Sequence, residues 1–135
     1  MNDEIKKKSS EPFDWVTERS ACSLPKVFKD LGAQLEEDVK TRNALRPNNS
    51  PYEFSVKEDV SDITVILQAG EVRKSVIFTL TPHSILAKDD KGNQLFDVTL
   101  TFTDDGKCRL NVNDQPREPW QVRRMALEEL FFAPS

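Results

Sequence analysis

The side chains able to carry chemistry are few and scattered. His83 is the single histidine, the one group whose ordinary pKa lies near neutrality. It follows Pro82 in a loop-like stretch, without a second histidine and without a nucleophile-elbow sequence to mark a serine. Proton relay needs an oriented imidazole. His83 is therefore read as a plain loop residue, with an enzyme that uses it kept as an alternative. Glu36, Glu37 and Asp38 are weak metal candidates. Adjacent helical residues point about 100° apart, so the three do not converge on one ion. Glu36 and Asp38 also have Lys40 and Arg42 four residues on, the favourable acid-before-base order. The run reads as a solvated face. Asp89-Asp90-Lys91-Gly92-Asn93 has carboxylates near a glycine but lacks the closing Glu of a calcium loop. It reads as a turn.

The two cysteines, Cys22 and Cys108, are too few for a four-ligand zinc site. The expectation is two free thiols. Cys108 alternates with Leu110 and Val112 and is placed in the core as a small hydrophobe. No cofactor motif is present.

A different chemistry, that of binding, is suggested near the C-terminus. Trp120, Leu127, Phe131 and Phe132 widen the apolar arc of the last helix beyond a single stripe. Arg117, Arg123 and Arg124 lie near that helix's start and Glu128 and Glu129 near its end. That order opposes the helix dipole, so the arginines should answer to carboxylates of the first long helix or, as the alternative, to an anionic partner. Trp120, Leu127, Phe131, Phe132, Arg123 and Arg124 are the candidate partner-binding residues.

The elements that must position these groups follow from periodicity. Asp14 can cap a short helix running to about Cys22. Ser23-Leu24-Pro25 opens a longer one, with Val27, Phe28, Leu31, Leu35 and Val39 at spacings of three and four. Gly32, inside this helix, would allow close approach to a strand. Pro47 to Pro51 ends it. From Tyr52 the period becomes two, through strands around Phe54, Val65, Phe78, Leu86, Val98 and Leu110. The clearest is 96–102, where Phe96, Val98, Leu100 and Phe102 alternate with Asp97, Thr99 and Thr101. Asp104-Asp105-Gly106 is the strongest hairpin signal. Residues 113–119, with two prolines, read as a loop before the last helix.

Links this short leave no room for crossover helices, so the sheet must be antiparallel. The expected fold is α+β, a two-layer sandwich. It has an N-terminal helix, an antiparallel meander of about six strands and a C-terminal helix. Residues 1–12 read as a disordered or frayed polar tail and 13–135 as a single domain. This helix–meander–helix order is similar to the layout of frataxin-like domains. That resemblance implies an acidic first helix that handles iron, hence metal or small-ligand binding as an alternative function. A pleckstrin-homology-like curled sheet is the alternative fold.

With 135 residues and eight Phe, the chain can bury a core without staples. The net charge of −4 argues against general nucleic-acid binding, and no apolar run is long enough to span a membrane. The N-terminus lacks an apolar signal core and reads as cytoplasmic. The expected function is a non-enzymatic interaction domain for a protein partner or for its own copy as a homo-oligomer.

Overall fold

Two capping side chains set where the chain turns helical. In the computed structural model, which describes residues 12–132, the Asp14 carboxylate accepts the Thr17 N–H at 3.2 Å and starts α1, Trp15–Ala21. Ser23 Oγ accepts the Lys26 N–H at 3.3 Å and starts α2, Leu24–Ala44, with Pro25 in its first turn. Helix α1 buries none of its residues. Helix α2 buries Phe28, Leu31, Gly32, Leu35 and Val39 along one stripe. Apart from Pro12, the expected polar tail lies outside the described residues, as do 133–135.

Seven strands follow, each antiparallel to the next and in sequence order across the sheet. They are β1 Tyr52–Glu58, β2 Asp62–Ala69, β3 Val72–Leu80, β4 Ile85–Asp89, β5 Gln94–Phe102, β6 Cys108–Val112 and β7 Gln115–Arg117. The expected α+β meander is the observed one, with one strand more than the six read from periodicity. The extra strand occupies the stretch expected to be a loop. Asn113 and Asp114 both take positive φ, 53° and 63°, as a tight two-residue hairpin demands. Strand β7 has three residues and holds Pro116, a residue a sheet tolerates at its edge. Helix α3, Pro119–Phe132, is the last of the described elements.

Both long helices cover the same face of the sheet. Phe54, Ile63, Val65, Leu67, Phe78 and Val98 point from the strands into the core. They meet the α2 stripe and Val122, Ala126, Leu127, Leu130 and Phe131 of α3. Burying one such Phe or Leu side chain stabilises the fold by about 2 kcal/mol. Met125 is 44% exposed, because the α3 core face turns through Ala126 and Leu127. Gly32 has its anticipated role. A Cβ there would sit 2.8 Å from Glu58 Oε1 and 3.3 Å from Ile63 Cδ1.

The cysteines depart from expectation. Cys22 and Cys108 form a disulfide with an S–S distance of 2.07 Å, linking the α1–α2 junction to the start of β6. Cys108 is exposed, not buried. It shares the inward side of its strand with Leu110 and Val112, but it stands at the strand's first residue. The β5–β6 pairing ends there, at Phe102 and Cys108, and the core cover does not reach it. Alternation identified the side of the strand and could not say how far along it the cover extends.

Candidate binding groove between the two long helices

The candidate residues of α3 fall on one helical face. Trp120, Arg123, Arg124, Leu127, Glu128 and Phe131 are spaced by three and one in alternation, which stacks them along one side. Asp38, Thr41, Arg42 and Leu45 recur in the same way along the last turns of α2 and its C-cap. The two faces border a groove of about 640 Å³, which Phe132 also lines. All six residues singled out for partner binding line this groove.

Its floor and rims differ in character. Leu127 and Phe131 are buried, and the Phe131 ring packs edge-on against Phe54 at 4.9 Å. Trp120, Phe132 and Leu45 stay 54%, 67% and 70% exposed. Arg123 crosses to α2, with its Nε 2.6 Å from Asp38 Oδ2 and a second bond to Gln34 Oε1 at 3.0 Å. The expected pairing of an α3 arginine with the acidic helix is thus present for Arg123. Arg124 instead pairs within its own helix, 2.5 Å from Glu128, as a favourably spaced surface pair.

Arg42 does not take the expected partner four residues earlier, because Arg123 holds Asp38. Its Nε donates to the Phe131 carbonyl at 2.9 Å, satisfying an acceptor in the last turn of α3. Its guanidinium lies 5.1 Å from the Phe54 ring centroid and 5.0 Å from that of Phe132, within cation–π range. Among the described residues Arg42 makes no ion pair with a carboxylate, so its positive charge stands beside the exposed Phe132 as a cation–π contact alone.

The remaining candidates do not join this site. Glu36, Glu37 and Asp38 diverge. Asp38 faces the groove, Glu37 faces solvent, and Glu36 shares a hydrogen bond with Glu58 of β1. That bond, with desolvation and the charge of Glu36, raises the Glu58 pKa above its ordinary value of 4.5. The pairing of Glu36 with Lys40 gives way to this contact across the layers. Among the described residues no group of three or more His, Cys, Asp or Glu side chains is placed to hold a metal ion. His83 is exposed in the tight turn joining β3 to β4. Its N–H bonds Thr81 Oγ1 at 3.2 Å, and its side chain makes no hydrogen bond or ion pair with a described residue.

Asp89 spends its carboxylate on its own turn, accepting the Lys91 and Asn93 N–H groups at 2.9 Å each. The Asn93 backbone bond is the largest influence that pulls its pKa down. These bonds make the stretch a hairpin turn.

Sequence reasoning missed the α2 wall. Leu45 lies past the last stripe residue, Val39, and Arg42 looked committed to Asp38. Among the described residues no helix is long and apolar enough to cross a membrane. Comparison with known proteins finds no matching family model, no matching curated protein and no matching solved structure.

Proposed function

We propose that this chain is a protein-binding domain, and that the groove between α2 and α3 receives an amphipathic segment of its partner. The observation that carries the reading is the strip of Leu45, Trp120 and Phe132. Each is more than half exposed, and all lie along one groove whose floor is Leu127 and Phe131. Single exposed apolar residues are ordinary, whereas a contiguous set with an apolar floor marks an interaction surface. Exposed Trp and Phe are the residue types that dominate binding energy when a partner dehydrates them. A groove between two helices suits a helical segment laid along it. Arg42 adds a charge preference. The segment should present bulky apolar residues to the floor and an acidic residue to the Arg42 rim.

Metal binding has no comparable support, because Asp38 is engaged by Arg123 and Glu36 by Glu58. The test is selection of peptides from a random display library on the purified chain, followed by calorimetry. Peptides of apolar and acidic composition should emerge, with affinity lost in Trp120→Ala and Phe132→Ala. Light scattering on the same samples asks whether a second copy occupies the groove. A strict monomer that selects no peptide dependent on Trp120 or Phe132 would overturn the proposal.

A further inference from the structure

The Cys22–Cys108 bond is asymmetric in access and in charge. Cys22 is 5% exposed, while Cys108 is exposed, so Cys108 is the half of the bond that solvent reaches. Lys107 and Arg109 flank Cys108 in sequence, and all three line a recess of about 260 Å³ with Arg117 and Glu118. Arg117 keeps its Nε buried without a hydrogen-bond partner among the described residues. Asp105 lies within electrostatic range of Lys107 and Arg109. Asp30 borders Cys108 on another side and is paired with Lys26, so four cations stand against three carboxylates around the exposed cysteine, a net positive surrounding. Cys22, which carries the leaving sulfur, is buried, and its Sγ lies 3.9 Å from the Thr101 carbonyl oxygen, so entry at Cys108, not stabilisation of the leaving thiolate, sets the direction of attack.

We propose that this disulfide is an exchange site for thiols that carry carboxylates, the chemical class of glutathione. The donor thiolate attacks Cys108 Sγ and forms a donor–Cys108 S–S bond. The Cys22–Cys108 bond breaks, its electron pair leaves on Cys22 Sγ, and that thiolate takes a proton from water. A second donor thiolate attacks the donor sulfur of the mixed disulfide and releases the Cys108 thiolate. The net change is one protein disulfide reduced by two electrons and two donor thiols oxidised to one disulfide. Opening the bond removes the covalent tie on α1, which buries no residue of its own. Segment 12–22 then keeps the Phe13 ring, which lies against Gly106 of the β5–β6 turn.

The test compares two reductants on the oxidised full chain, glutathione and cysteamine, matched for thiolate concentration. Samples are quenched with acid and mapped by peptide mass spectrometry. The mixed glutathione disulfide should appear on Cys108. Lys107→Glu with Arg109→Glu should slow opening by glutathione by roughly five- to tenfold and leave cysteamine unchanged or faster. A Cys22→Ser chain offered oxidised glutathione should form the Cys108 adduct faster than Cys108→Ser forms the Cys22 adduct. Adduct on Cys22, equal slowing of both thiols, or a bond that opens only after urea unfolding would each overturn the proposal.

Discussion

Asn43 completes the edge of the sheet by treating Phe54 as a neighbouring strand would. Its side-chain amide donates to the Phe54 carbonyl at 2.8 Å and accepts the Phe54 N–H at 3.0 Å. Arg46 adds a bond to the Tyr52 carbonyl next along the same edge. The last turns of α2 therefore occupy hydrogen-bonding groups that would otherwise template pairing with another chain. Removing both Asn43 bonds at once should cost about 2 kcal/mol. Asn43→Ala should lower the urea midpoint accordingly and increase aggregation on heating, read by light scattering during a thermal ramp. An unchanged midpoint would mean that water replaces the side chain without loss.

Arg123 and Asp38 join the two helices at the groove wall, with side chains 16% and 31% exposed. Partial burial places this pair above the usual surface ion pair. A double-mutant cycle with Arg123→Ala and Asp38→Ala should return a coupling of about 1 kcal/mol. A similar cycle for Arg124 and Glu128, which are 65% and 54% exposed, should return a smaller coupling, because solvent screens the pair.

The Glu36–Glu58 contact sets a pH dependence with a definite sign. In the unfolded chain Glu58 titrates near its ordinary 4.5, and in the folded chain it holds its proton to higher pH. The folded state then binds more protons in the window above 4.5. The stabilising effect of the protonated pair is complete below that value and is lost as pH rises through the folded pKa. At neutral pH the two carboxylates repel. Glu58→Gln should stabilise the chain slightly at pH 7, by a few tenths of a kcal/mol after solvent screening. It should also flatten the stability profile above pH 4.5. Urea titrations across pH give both readings, and a lower midpoint for the variant at pH 7 would contradict them.

The β6–β7 turn offers a simple improvement. Asp114 holds φ at 63°, a region where glycine carries no steric penalty. An Asn-Gly pair is the preferred sequence for such a turn, and Asn113 already supplies its first half. Asp114→Gly should be neutral or stabilising by about 0.5 kcal/mol, whereas Asp114→Val should destabilise. Thermal midpoints of the two variants should therefore fall on opposite sides of Asp114→Ala.

Local signals were legible and distant ones were not. Asp14 and Ser23 announced both helix starts because a cap is a relation across three residues. Gly92 and Gly106 marked turns because positive φ is written into the residue type, and both adopt it. Strand β7 escaped because Asn-Asp is a weaker turn signal than Asn-Gly and Pro116 argues against a strand. The disulfide, the Glu36–Glu58 contact and the bond from Arg42 to Phe131 escaped for another reason. Their partners lie far apart in sequence, and no periodicity reports which surfaces meet. The α3 side of the groove could be listed from sequence because one helix gathers its residues. The opposite wall depends on how α2 and α3 sit side by side.

The disulfide has a topological effect on the groove. Its bond closes a ring across a sequence separation of 86 residues, a length for which the chain-entropy model gives roughly 4.5 kcal/mol of stabilisation. Helix α2 and strands β1 to β5 lie inside that ring, while α3 hangs from it as an open tail. The groove thus has one wall fenced covalently and one wall free to peel away. Local opening of α3 requires no covalent change, so it should be the easier event. A segment bound in the groove would act as the missing clasp, and hydrogen exchange along residues 119–132 is where its arrival should first be seen.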